Sequence, residues 1–271
     1  MRAGAKNAFG AGLIALVGVG LIACITPLGA WLSRPWDDAP HPGLPAWMAW
    51  HGRLMVLGWA ILAPAGVLAA RYCKIWPGQD WPRELDDQHW WHAHRLLQTG
   101  AIMAASAGLL LAWRNAAGLS PLARAHGLLG WAIMGLGWAQ IVGGLLRGAK
   151  GGPTDPRCAS GDLSGDHYSM TSRRIVFEYA HKLGGYVVLG LSVVAVAMGL
   201  RLADAPRWMW LVIVLWWIAL AGVATACQRA GLCIDTYQAI WGPDGALPGN
   251  RRRPIGWGVS RPLRHPFKGG D

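Results

Sequence analysis

The stretch "WWHAHRLLQTGAIMAASAGLLLAW" (residues 90–113) decides the fold. After Arg95 it carries no charge, and it is long enough to cross a hydrocarbon core of roughly 30 Å at about 1.5 Å per helical residue. Two tryptophans stand at its entrance and one at its exit, where the amphipathic indole ring anchors a membrane interface. Two histidines, His92 and His94, sit at that same entrance. An imidazole at the edge of an apolar span is costly unless its nitrogens are used.

Working outward, five more apolar blocks have comparable length. The six expected spans are Ala8–Leu32, Trp47–Ala70, Ala93–Trp113, Ala125–Leu146, Tyr179–Leu200 and Trp208–Ala226. The whole chain is 53% hydrophobic and 14% charged over 271 residues, where a soluble domain carries about a quarter charged residues. The fold class expected is all-α and polytopic, six transmembrane helices around a central four-helix bundle. Its parts are a first flanking helix (8–32), the core (47–201), a last helix (207–227) and a tail rich in Gly, Pro and Arg (228–271).

The net charge of +11 is topological and does not point to nucleic acid. The N-terminus, the second-to-third loop, the fourth-to-fifth loop and the tail hold 19 of the 25 Lys and Arg. The positive-inside rule then puts those segments, and both termini, in the cytoplasm, with some attraction to anionic lipid. The expected location is a bacterial inner membrane. No Asn-x-Ser/Thr sequon occurs, and no cysteine lies in an outer loop, so a structural disulfide is not expected. Arg2, Lys6 and "LIAC" (21–24) have the look of a lipoprotein signal, but the apolar run continues to Leu32, which favours a retained span.

Four consecutive spans carry a histidine near their start: His51, His94, His126 and His181. Because successive spans alternate in direction, His51 and His126 lie at one end of a bundle and His94 and His181 at the other. Each pair rides on parallel helices at similar depth. That arrangement delivers two imidazoles to one plane from opposite sides, twice, as bis-histidine ligation of two non-covalent haem b groups requires. Taken singly, a histidine at a span edge is more often an interfacial polar residue than a ligand; four in successive spans, in matched pairs, reverse that balance. His92 lies about 200° around the helix from His94, so both cannot face the bundle. Gln98, one turn on, assigns that face to His94. His41, His89, His167 and His265 read as surface histidines.

Small residues follow each histidine at helical steps: Gly58, Ala65, Gly66 and Ala69 after His51, interrupted by Leu62; Ala101, Ala105, Gly108 and Ala112 after His94; Gly130, Gly137 and Gly144 after His126, with Ile133 and Gln140 between them; Gly185, Ser192, Ala195 and Gly199 after His181, interrupted by Val188. Such a stripe suits a porphyrin between helices and equally suits close helix packing. Metal or proton-coupled transporters also use intramembrane histidines, together with carboxylates inside the bilayer. Here all 14 acidic residues fall in loops, the tail or, for Glu178, a span edge.

The motifs "HGRLMVLGWAILAPAGVLAARY" (51–72), "HRLLQ" (94–98), "HGLLGW" (126–131) with Gln140 downstream, and "HKLGGY" (181–186) resemble the cytochrome b561 superfamily, particularly the membrane module associated with DOMON domains. The resemblance covers roughly residues 47–201. It implies a haem-b-bearing core that moves electrons across the membrane, with His51 paired to His126 and His94 to His181. Arg71 and Lys74 are loose matches to the basic residues that hold ascorbate in part of that family. The chain opens directly with a span, so a separate periplasmic or cytoplasmic redox partner is expected, and the donor is expected to be a quinone or an ascorbate-like molecule. Arg53 at one end and Arg95 or Lys182 at the other are candidates to pair with haem propionates. Other expected roles are a cytochrome b subunit exchanging electrons with quinone for a dehydrogenase, a haem-binding scaffold or sensor, and a metal transporter. The tail is expected either to rest on lipid without a core of its own or to strap the cytoplasmic site, anchored by Trp241 and Trp257.

Overall fold

The computed structural model describes residues 27–37, 43–115, 119–158 and 161–263. Five helices are long and apolar enough to cross a membrane. In chain order the helices are α1 (Pro27–Leu32), α2 (Ala46–Tyr72), α3 (His89–Asn115), α4 (Pro121–Leu145), α5 (Ser172–Leu202), α6 (Arg207–Arg229) and the short α7 (Thr236–Trp241). The architecture is all-α and polytopic, as expected, with five described spans instead of six. The remaining expected span, Ala8–Leu32, lies outside the described residues except for α1.

Local chemistry sets the helix starts. Pro121 at the first turn of α4 follows Ser120, whose hydroxyl accepts from Ala123 N at 3.2 Å. Thr171 caps α5 in the same way, accepting from Arg174 N at 3.3 Å. Both satisfy amide groups that a helix start leaves without partners.

Packing is inverted relative to a soluble bundle. Large apolar side chains such as Leu96, Leu128 and Leu183 point outward and are exposed, while Ala63, Ala101, Ala105 and Gly137 are interior. That is the distribution a lipid solvent selects, because small residues let helices approach and lipid covers the rest. At Gly58 the approach of α2 to α3 is so close that a Cβ would lie 2.8 Å from the Ala101 carbonyl oxygen. Trp59, Ile102, Ile133, Met134 and Val188 fill the middle of the bundle.

The sequence stripe on α2 departs from helical register in one place. Val56–Leu62 forms a π-helical turn, and the buried residues beyond it are Ala63 and Gly66. The extra residue puts Ala63 on the buried face, with Leu62 half-buried beside it and packed against the core. Pro64 explains the irregularity: it has no N–H to give the Ala60 carbonyl. Trp216 of α6 supplies the missing donor, its Nε1 lying 2.6 Å from Ala60 O.

Of its two expected forms the tail takes the strap, with residues 230–263 folded and no core that is theirs alone. Its core is shared: Tyr237, Ile240, Trp241 and Ile255 pack with Met170 of the α4–α5 loop, and Ile234 and Ala239 with Ile75 and Trp81 of the α2–α3 loop. Arg261 locks the segment, giving Nε to Asp235 Oδ2 at 2.5 Å and Nη2 to Gly249 O at 3.1 Å. Trp241 is the anchor, 6% exposed, whereas the Trp257 ring is 81% exposed. One end of the bundle is therefore capped.

Candidate functional site

The four expected histidines meet in two facing pairs. His51 of α2 and His126 of α4 have ring centres 6.1 Å apart at the open end. His94 of α3 and His181 of α5 have ring centres 6.2 Å apart at the capped end. An imidazole nitrogen sits ~1.1 Å from its ring centre and a metal–histidine bond is ~2.0–2.1 Å, so two rings trans across one metal have centres about 6.3 Å apart. Both pairs fall at that separation. Among the described residues no group of three or more His, Cys, Asp and Glu forms a metal cage; the histidines come in twos.

One ring of each pair is braced by a backbone carbonyl of the neighbouring helix. His51 Nδ1 lies 2.8 Å from Gly108 O on α3, and His94 Nδ1 lies 2.9 Å from Gly66 O on α2. A carbonyl only accepts, so Nδ1 carries the proton and Nε2 keeps its lone pair. Such bracing fixes the tautomer and ring direction of a metal-ligating histidine. The opposite rings lack this support: Nδ1 of His126 and of His181 are buried without a hydrogen bond. The Ala195 carbonyl adjoins the His126 ring, but outside hydrogen-bond geometry. His92 is exposed and takes no part, as the 200° offset from His94 required.

Gly66 is needed beside His94. A Cβ there would stand 2.5 Å from Gln98 Nε2, which instead donates to Ala63 O at 2.9 Å. Gln98 thus lies on the His94 face and ties α3 to α2 just past the π-helical turn. Gln140 of α4 crowds Gly184 of α5 in the corresponding way.

A cavity of about 480 Å³ opens beside His94 and His181. Its walls include Ala63, Ala101, Gly137, Gly144 and Gly185. At Gly144 and Gly185 a Cβ would meet nothing within 4 Å. The residues therefore fit a flat, apolar macrocycle held between two imidazoles: ring centres at metal-compatible spacing, one ring of each pair with Nε2 unprotonated, and small side chains leaving room beside them.

The rim is cationic. Arg71, Lys74, Arg95, Arg147, Lys150, Arg174 and Lys182 line the cavity, against Asp86, Asp87 and Glu178. Glu178 is clamped by Arg174 Nε at 3.0 Å and Lys182 Nζ at 2.8 Å. Lys74 donates to Ile234 O at 3.0 Å, and burial first, then the Lys182 charge, lowers its pKa to about 8. Burial, followed by Arg174 and Arg95, also lowers that of Arg147. Lys182, expected as a propionate partner, also donates to Ile255 O at 2.7 Å and is engaged by the chain itself. Arg53 lies over the Trp50 ring, 5.0 Å from its centre.

His167 corrects the sequence reading. It is 3% exposed, with its ring 5.7 Å from that of Tyr237 and 5.9 Å from that of Trp241, and Nε2 3.9 Å from Glu178 Oε1. Burial, and then the Arg174 charge, lower its pKa to about 3. Local sequence offered no signal, because the burying surface is α7, about seventy residues away. His89 is exposed and bonded to Asp87, as a surface histidine should be. His41 and His265 lie outside the described residues.

The model of eukaryotic cytochrome b561 matches residues 50–154, a stretch that carries His51, His94 and His126. The chain belongs to the cytochrome b561 superfamily. It is 32% identical over 175 residues to a cytochrome b561, DM13 and DOMON domain-containing protein of Arabidopsis thaliana, covering 65% of this chain and 17% of that one. A Drosophila melanogaster protein named as a ferric-chelate reductase 1 homologue is 26% identical over 60% of this chain and 22% of its own. A Danio rerio protein named for ferric-chelate reductase 1 is 28% identical over 59% and 24% respectively. The chain thus spans less than a quarter of these relatives. No solved structure matches it.

Proposed function

We propose that this cytochrome b561 superfamily protein is a transmembrane electron conduit with two haem b groups, one held by His51 and His126 and one by His94 and His181. The observation that carries this reading is the pair of facing imidazoles, repeated at the same metal-compatible separation at both ends of one bundle. Haem b supplies reversible one-electron chemistry at its iron. The chain's own residues do the rest. His51 and His94 present Nε2 in a fixed direction because Gly108 O and Gly66 O hold their protons. His51 and Gly66 are fifteen residues apart on α2, so the two levels lie roughly 20 Å apart along the helix. Trp59, Ile102, Met134 and Val188 fill that interval and exclude water.

The capped end is proposed to face the cytoplasm, on the strength of the Lys and Arg concentrated in its loops and tail. Arg71 and Lys74, the positions that resemble an ascorbate site, hydrogen-bond to the chain's own Trp257 and Ile234 carbonyls at 2.7 and 3.0 Å. That favours a quinol, or a separate redox protein, over an ascorbate-like anion as the partner at this end. The relatives named for ferric-chelate reductase make a ferric chelate the first acceptor to assay.

The test is a pyridine haemochrome assay on purified protein and on His94→Ala and His92→Ala variants. Two haem b per chain are expected, falling to one in His94→Ala and remaining two in His92→Ala. No haem, or equal loss in both variants, overturns the proposal. Haems that neither quinol nor a protein donor reduces would favour the scaffold or sensor reading.

A further inference from the structure

Beyond the Arg174–Glu178–Lys182 ladder and the Lys150–Asp86 pair, four cations line the His94/His181 cavity. Arg71 and Lys74 are taken up by the cap. Arg95 and Arg147 are placed differently. Both guanidinium groups lie over the single ring of Trp91, at 5.6 and 4.6 Å from its centre. Trp91 in turn stacks on His94, ring centres 6.3 Å apart. Among the described residues Arg95 has no hydrogen bond or ion pair, and Arg147 makes one hydrogen bond, to Gly144 O at 3.1 Å, with no carboxylate partner.

Two like charges on one indole repel each other. The other cations of the rim have partners: Glu178 serves two, Asp86 one, and backbone carbonyls the rest. A planar guanidinium offers a forked donor set matched to a carboxylate. The arrangement therefore has the charge and the donors for a dianion, at the polar mouth of a cavity whose floor is apolar.

We propose that Arg95 and Arg147, spaced by Trp91, form a two-guanidinium clamp for a pair of carboxylates, namely the propionates of the haem held by His94 and His181. This rests on the reading above. A phosphate of an anionic lipid is the competing occupant, since Arg95 is exposed at the edge of a span. The lining of the cavity by both residues, and the direct contact of their shared ring with His94, favour the propionates.

The test uses purified full-length protein in lipid nanodiscs and the variants Arg95→Gln, Arg147→Gln and the double variant. Arg157→Gln, whose side chain is 84% exposed and outside the cavity, is the control. Redox titration resolves the two haem potentials, and haem content is read independently. The expected result is two haems per chain throughout. The potential of the His94/His181 haem falls in each single variant and by less than the sum in the double, and the other haem stays fixed. The lowered potential also becomes pH-dependent below neutrality, because a carboxyl that loses its guanidinium partner takes up a proton more readily. Arg95→Lys should recover part of the shift. Three results overturn the clamp: unchanged potentials, equal shifts in both haems, or a shift that vanishes when anionic lipid is left out. Protein that purifies without haem would instead fail the underlying reading.

Discussion

Two glycines of the cavity wall and one outside it separate an empty pocket from a filled one. At Gly185 and at Gly144 a methyl group would enter open space. Alanine in a helix interior is about 0.8–1.0 kcal/mol more favourable than glycine, so in protein without cofactor Gly185→Ala should be neutral or slightly stabilising. With a macrocycle in the cavity the same methyl group overpacks it, which costs typically about 1–3 kcal/mol. At ~1.4 kcal/mol per tenfold this is about a 5- to 150-fold loss of affinity. Gly66→Ala behaves differently: its Cβ would lie 2.5 Å from Gln98 Nε2. It should displace that amide from Ala63 O, which keeps its own helical partner, and so lose one interhelical hydrogen bond, at about 0.5–1.5 kcal/mol with or without cofactor. The assays are haem content by pyridine haemochrome and thermal melts of protein from haem-depleted and haem-replete cultures. Gly185→Ala that retains two haems with unchanged affinity would refute the reasoning, because the space beside it would then be vacant in the working molecule.

Trp216→Phe removes the only side-chain donor seen at the Ala60 carbonyl among the described residues, at a cost of about 1–3 kcal/mol in thermal or denaturant unfolding. In a Pro64→Ala background, where the backbone regains an N–H, the same change should cost about half as much or less; an equal cost would show that Pro64 is not the cause. His167 gives a pH signature. Its pKa is about 3 when buried, against 6.5 as its ordinary value, so the unfolded chain binds the proton more readily. Its contribution to stability is full above pH 6.5 and is lost as the pH falls from there toward 3. The expected outcome is rising protease sensitivity of residues 230–263 across that window, and His167→Gln should remove the part above pH 4, below which the carboxylates titrate. A variant with an unchanged profile would assign the effect elsewhere.

The features legible in the sequence were those that depend on one helix at a time. Span lengths, the alternation of direction, and the face shared by His94, Gln98, Ala101, Ala105 and Gly108 all follow from 3.6 residues per turn. The exclusion of His92 follows from the same geometry. What escaped depends on contacts between distant segments. The π-helical turn beside Pro64, which brings Ala63 to the buried face, relies on Trp216, about 150 residues away, for its missing donor. Gly, Pro and Arg in the tail argued against order, yet Tyr237, Trp241 and Ile255 pack in a core completed by Met170. His167 looked like a surface residue for the same reason.

The reciprocal bracing of His51 by Gly108 O and His94 by Gly66 O bears on how the molecule is assembled. Helices α2 and α3 together hold one oriented imidazole for each face of the membrane, and each helix orients the imidazole carried by the other. The α4–α5 hairpin brings both opposing rings. On the proposed pairing, a chain emerging during synthesis would have two half-sites once the α2–α3 hairpin closes, and the α4–α5 hairpin would supply the second ring of both. The two faces would then share one scaffold, the α2–α3 pair.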